Sequence, residues 1–281
     1  MSQPLTIACL QTRPMGTFDE ALNEALTLAR QGVDAGGQLL ALPEYCGGLA
    51  TKDGAYTIPA APEATHPVVA GLTAFAAEAG VEMLIGSVAV EAAGGKRVNR
   101  SFFVNTSGEI TARYDKIHLF DVDLGNGESY RESDAVVPGD RAVQAQTRAG
   151  AMGMSVCYDL RFPALYRHHA QAGAGMLAVP AAFAVTTGQA HWHILNRARA
   201  IENGAFVIAP CAVGAIPGGG ASYGHSLIID PWGEVLADAG AAPGVITAQI
   251  DLDLVHATRA RVPSLSHDRD FTAPAPVRDV A

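Results

Sequence analysis

The stretch Gly153–Pro163, GMSVCYDLRFP, leads through small and apolar residues into Cys157. A tyrosine, an aspartate and an arginine follow before Pro163 closes the turn. Such a run reads as a short buried strand delivering one thiol to its carboxyl end, where open α/β sheets place their chemistry. Only a few per cent of an ordinary thiol is ionised at neutral pH, so a fast sulfur nucleophile needs a positioned base. Two further residues sit in the same kind of place. In QLLALPEY, Glu44 stands just beyond the apolar run and Pro43, and Lys116 closes EITARYDK. A carboxylate can take the thiol proton, and a lysine can hold the negative charge that develops when sulfur attacks a carbonyl. Histidine is the more usual base, and His118, His168, His169, His191, His193 and His225 leave a Cys–His pair open. The plainer readings are a buried cysteine acting as a small hydrophobe and a glutamate capping a loop.

The elements that must carry these residues alternate. Strand candidates lie at Leu5–Gln11, in QLLALPEY, and at Met83–Val90, Arg100–Thr106, Glu109–Lys116, Ala142–Thr147 and Met176–Phe183. AFVIAPC, SLIIDPWGEVLAD and GVITAQIDLD supply further strands, the second of them folding at Pro-Trp-Gly into a hairpin. Helical spacing appears over residues 18–31, Val68–Ala79, Ala164–Gln171, His191–Asn203 and Leu252–Arg261. On the fourth of these, Ile194, Leu195, Ala198 and Ile201 share a face opposite Arg197, Arg199 and Glu202. Ser107-Gly108 signals a hairpin, which makes the sheet mixed, and no GxGxxG supports a dinucleotide fold. Some 25 residues follow Lys116 before the next strand candidate, a length typical of binding loops.

The pattern predicts an α/β protein with one domain over residues 1–265 and a tail over 266–281 that frays or packs on a partner subunit. With 28 acidic against 19 basic residues and no basic run, nucleic acid and anionic membrane are poor partners. No apolar run approaches the ~20 residues that span a bilayer. Four scattered cysteines without CxxC spacing suggest neither a zinc site nor a disulfide framework, and a reduced cytoplasmic protein is expected. His191 and His193 are two apart, which on a helix points them to different faces and excludes a metal pair there.

LPEY around Glu44, YDKIHLFD around Lys116 and CYDLRFP around Cys157 resemble the three motifs of the nitrilase superfamily of carbon-nitrogen hydrolases, in order and across nearly the whole chain. YRESD, VPAAF, TGQAHWHILNRARAIEN and YGHSLIIDPWGEVLAD resemble the branch that holds deaminated glutathione amidases and omega-amidases. The resemblance implies a four-layer αββα sandwich with mixed sheets, a homodimer or higher homo-oligomer, and no metal or cofactor. It implies that Cys157 attacks an amide carbon, that Glu44 is the general base and later acid, and that Lys116 with the Tyr158 N–H forms the oxyanion hole. Glu132, in YRES, matches a second glutamate of the branch, ahead of Glu128 in GES. The small-molecule substrate would be a carboxylate-bearing amide, deaminated glutathione in the first place and an omega-amide such as alpha-ketoglutaramate in the second. A catalytically silent binding homologue is a further alternative. Arg161 is a candidate clamp for the substrate carboxylate, with an ion pair to Asp159 as the plainer reading, and Phe183 and Thr187 are candidate substrate contacts. His193 stands where the branch commonly has a glutamate, and the IPGGGAS loop is richer in glycine than the resemblance predicts.

Overall fold

The computed structural model describes residues 4–52, 55–125 and 128–274. The first sheet contains β1 (Leu5–Gln11), β2 (Leu39–Ala41), β3 (Glu82–Glu91), β4 (Arg97–Val104) and β5 (Ile110–Asp115). The second contains β6 (Gln144–Gln146), β7 (Ala151–Gly153), β8 (Met176–Ala178), β9 (Phe206–Ala209), β10 (Leu227–Ile229) and β11 (Val235–Asp238). A last strand, β12 (Gly244–Ile250), returns to pair antiparallel with β1, Leu5 opposite Ile250 and Gln11 opposite Gly244. The strand orders are β12-β1-β2-β3-β4-β5 and β6-β7-β8-β9-β10-β11, with the short Ala60–Ala61 strand beside β3. Parallel pairs at β1-β2-β3 and β7-β8-β9 are flanked by antiparallel ones, so both sheets are mixed, as the Ser107-Gly108 signal implied. That turn is longer than two residues. Asn105 spans it with its side chain, accepting from Ser107 N and Glu109 N.

Alternation along the strands builds the layers. In β1, Ile7 and Cys9 face the core between the sheets, with Met152, Met176, Ile208 and Ile228 from the second sheet. Ala8 and Leu10 face the other way, under α1 (Phe18–Asp34) and α2 (Pro67–Ala79). α3 (Pro163–Gln171) and α4 (Val185–Asn203) cover the far side of the second sheet through Leu165, Trp192 and Ala200. The order is therefore helix, sheet, sheet, helix. α5 (Asp253–Arg261) closes the fold. None of the described helices is long and apolar enough to cross a membrane.

Three expectations are corrected. The strand before Cys157 is only Ala151–Gly153, and Cys157 opens a 3-10 helix, Cys157–Arg161, instead of ending a strand. The connection after Lys116 is not structureless, for it holds a strand pair, Asp121–Gly125 with Glu128–Arg131, and a 3-10 turn, Glu132–Asp134. α4 begins at Val185, and its buried face, through Trp192, Asn196, Arg199 and Asn203, is turned from the expected one. Ile194 and Ile201 are exposed, whereas Arg199 is buried, donating to Leu160 O at 3.0 and 2.7 Å and pairing with Glu202 at 2.9 Å. A guanidinium with several donors can be buried where a bare carbonyl needs them, which apolar spacing alone does not reveal. The tail turns back at least to Asp268, which pairs with Arg167 of α3 at 2.8 Å; residues 275–281 lie outside the described residues.

Candidate active site

Glu44, Lys116, Glu132 and Cys157 line one cavity of about 480 Å³ including its open mouth. Lys116 Nζ donates to Glu44 Oε1 at 2.9 Å and to Glu132 Oε2 at 2.8 Å, with all three side chains buried. Glu44 is delivered by the turn after β2. That turn is seated on β3 so closely that a Cβ at Gly86 would lie 1.9 Å from Leu42 O, so only glycine fits there. Lys116 follows β5, and Glu132 opens the 3-10 turn of the long connection. Glu44 Oε2 accepts from Ala182 N at 2.9 Å, and Glu132 Oε2 accepts from Phe120 N at 2.7 Å. The side chain of Glu128, the other candidate, lies outside the described residues.

Two residues that the sequence reading passed over complete the cluster. Asn99 Nδ2 donates to Glu44 Oε1 at 2.9 Å and to Glu132 Oε1 at 3.2 Å, bridging the two carboxylates. Tyr45 donates its hydroxyl to Glu132 Oε1 at 2.9 Å. The signal for Asn99 was a polar residue in the apolar strand VNRSFFV; for Tyr45 it was adjacency to Glu44.

The electrostatics are those of two carboxylates around one ammonium. Burial alone would lower the Lys116 pKa, but the charges of Glu132 and Glu44 raise it well above the ordinary lysine value. Burial opposes ionisation of Glu132, and Lys116 together with the bonds from Phe120 N and Asn99 holds its pKa below the usual value. Burial and the Glu44 carboxylate push the Cys157 thiol well above its ordinary pKa, only partly offset by Lys116. A resting thiolate would add a further negative charge to a dry site already holding two, so the thiol rests protonated.

Cys157 itself sits at φ 50°, left-handed for a residue with a Cβ, as does Tyr45 at φ 51°. Such strain collects at functional sites. The turn is held from outside the cavity: Cys157 N donates to Pro180 O at 2.8 Å, and Val156 N to Asp159 Oδ2 at 2.8 Å. The Tyr158 N–H has no acceptor among the described residues.

The walls are aromatic. Tyr45, Tyr56, Phe120, Tyr158 and Phe183 line them, together with Thr187 from the first turn of α4. Phe183 and Thr187, the candidate substrate contacts, are both among these lining residues. Arg161 is not part of the immediate lining. Its guanidinium lies 5.8 Å from the Tyr158 ring centre and 5.6 Å from that of Phe183, beside His191 Nδ1 at 3.4 Å. The plainer expectation of an Arg161–Asp159 ion pair is not met, because Asp159 is bonded instead to Tyr114, His118 and Val156 N. Arg161 makes no ion pair among the described residues. None of the six histidines held open as a base joins the cluster around Cys157.

A model of the carbon-nitrogen hydrolase family matches residues 6–260. The chain is 39% identical over 273 residues to a deaminated glutathione amidase of Synechocystis sp. strain PCC 6803, covering 94% of this chain and 98% of that one. It is 35% identical over 248 residues to omega-amidase NIT2 of Xenopus tropicalis, covering 87% of each. Among solved structures, Saccharomyces cerevisiae Nit3, a member of branch 10 of the nitrilase superfamily, superposes with a TM-score of 0.82. The two are 28% identical, covering 94% of this chain and 96% of that one.

Proposed function

Since the chain belongs to the carbon-nitrogen hydrolase family, we propose that it hydrolyses a carboxylate-bearing amide, deaminated glutathione foremost, through a thioester on Cys157. The observation that carries this reading is the meeting of Glu44, Lys116, Glu132 and Cys157, remote in sequence, in one cavity. Cys157 Sγ attacks the amide carbon while its proton passes to Glu44, so the thiolate never stands free beside two carboxylates. The oxyanion of the tetrahedral intermediate is held by Lys116 Nζ and the Tyr158 N–H. Glu44 returns the proton to the departing nitrogen, the amine or ammonia leaves, and a thioester remains. Glu44 then takes a proton from water, which attacks the thioester; the acid leaves and Cys157 regains its proton. Glu132, tied to Phe120 N, Asn99 and Tyr45, keeps the Lys116 ammonium in place.

Arg161 is the proposed anchor for the substrate's distal carboxylate, since it stands free of acids behind the aromatic wall and its fork suits bidentate bonding. Arg161→Gln is expected to raise KM about tenfold with kcat changed far less. A homodimer fits the exposed stripe of Ile194 and Ile201 beside Trp232, and sedimentation of the purified chain tests it. Four free cysteines suit a reduced cytoplasmic setting. Relative kcat/KM for deaminated glutathione and alpha-ketoglutaramate, with mass-spectrometric trapping of an acyl group on Cys157, tests the whole reading. Preference for alpha-ketoglutaramate makes the protein an omega-amidase. Absence of turnover and of any adduct with either compound or with other amides makes it a silent homologue.

A further inference from the structure

His193, on α4, points away from the cavity toward two residues far along the chain. His193 Nε2 lies 3.0 Å from Asp238 Oδ2, and His225 Nδ1 lies 3.0 and 3.2 Å from Asp238 Oδ1 and Oδ2. Two imidazole nitrogens and a carboxylate oxygen lie within 4.8 Å of one another. The side chains are partly open to solvent, at 35% for His193, 27% for His225 and 33% for Asp238. That leaves room for water as a further ligand.

The framework behind these donors is fixed. His225 adopts φ 53° and, with Tyr45 and Cys157, completes the set of left-handed non-glycine residues among those described. Its backbone is clamped on both sides, with His225 N donating to Gly240 O at 2.8 Å and Trp192 Nε1 donating to His225 O at 2.7 Å. The Tyr223 ring stacks on its imidazole at 4.6 Å. Asp238 accepts from Gly240 N at 2.8 Å through Oδ1. Partial burial opposes its ionisation, but the bonds from His193, Gly240 N and His225 hold its carboxyl below the usual value. These contacts orient the donors as outer-shell partners do around metals.

We propose that His193, His225 and Asp238 form a binding site for a divalent transition metal of the zinc class, tying α4 to the turn before β10 and to the end of β11. Imidazole and carboxylate together suit such ions, and a three-residue set leaves the fourth tetrahedral position to water. Tetrahedral bonds of about 2.0–2.1 Å put donor atoms about 3.4 Å apart, so the widest pair has to close by at most about 1.4 Å. Rotation of half-exposed side chains supplies that. His191 and His193 do not pair, because His191 turns to Arg161; His193 instead finds partners 32 and 45 residues away, which no local spacing shows.

The test uses the full chain carrying Cys157→Ala, so that the proposed reactive thiol does not compete for metal. After chelation, titration with Co2+ is expected to give one ion per chain with visible ligand-field absorption and no thiolate charge-transfer band. Zn2+ displaces it. His193→Ala, on an exposed helix face, and Asp238→Asn, which keeps an acceptor for Gly240 N, each weaken Zn2+ binding more than about tenfold with circular dichroism unchanged. Zn2+ affinity unchanged in both folded variants, a thiolate band, or the absence of stoichiometric binding overturns the proposal.

Discussion

Asp159, within the cysteine turn, and the Glu44–Glu132 pair, in the cavity wall, are buried carboxylates that spend their bonding capacity differently. Asp159, with no exposed surface, accepts from His118 N at 3.0 Å and faces His118 Nδ1 at 2.7 Å through Oδ1. It accepts from the Tyr114 hydroxyl at 2.7 Å and from Val156 N at 2.8 Å through Oδ2. All its partners are protein groups away from the cavity, so nothing is left for a substrate. Glu44 and Glu132 share Lys116 and Asn99, yet they stand in the cavity wall with the thiol and the Lys116 ammonium before them. Burial and hydrogen bonding are common to both regions. Capacity left facing an empty space sets the candidate catalytic cluster apart from the carboxylate that holds a turn in shape.

The contrast breaks most sharply on a pair of substitutions. Cys157→Ala is expected to lower turnover by about 10⁴-fold or more, as loss of a nucleophile does, while the denaturation free energy changes by less than about 1 kcal/mol. The left-handed turn is unaltered and no charge loses a partner. Asp159→Asn is expected to do the reverse. Its amide brings N–H groups against the donors of Tyr114, His118 and Val156, and stability falls by about 2–4 kcal/mol in denaturant titration. For the fraction still folded, kcat/KM falls by no more than about tenfold. Equal activity losses in both, with Asp159→Asn fully stable, would place Asp159 in the chemistry and dissolve the distinction.

The same contrast explains what the sequence could and could not reveal. Glu44, Lys116 and Cys157 were legible because each interrupts an apolar run at an element's end, and Glu132 through its motif. The alternating strands and helices likewise gave an α/β protein with a mixed sheet, since burial on one face leaves a period in the chain, whereas the four layers came from the family resemblance. Asn99 and Tyr45 act through bonds to residues 33 to 87 positions away, and such partners leave no local period. Arg199 on α4 failed for a related reason: its burial depends on the unpaired carbonyl of Leu160, which exists only once the cysteine turn has formed. The strand before Cys157 came out too long because its pairing ends at Gly153 while the chain stays extended as far as Val156; the left-handed φ at Cys157 then turns it, and Cys is not a residue type that signals such a backbone.

Tyr45 gives the finest measure of the difference, because it belongs to the cavity cluster but reaches Lys116 only through Glu132. Burial and the charge of Glu132 push its phenol above the ordinary pKa, so it remains a neutral donor to Glu132 Oε1. In Tyr45→Phe that oxygen keeps the Asn99 bond at 3.2 Å and is not orphaned, so the loss is one ordinary hydrogen bond, about 1 kcal/mol. If Glu132 serves to position Lys116, kcat falls about fivefold, the rate equivalent of that energy, while KM stays within about twofold. Steady-state kinetics with Tyr45→Phe separates this from a structural role, which would lower the unfolding midpoint and leave kcat alone. A loss approaching that of Cys157→Ala would mean that the hydroxyl of Tyr45, a residue of the cavity wall, meets the substrate itself.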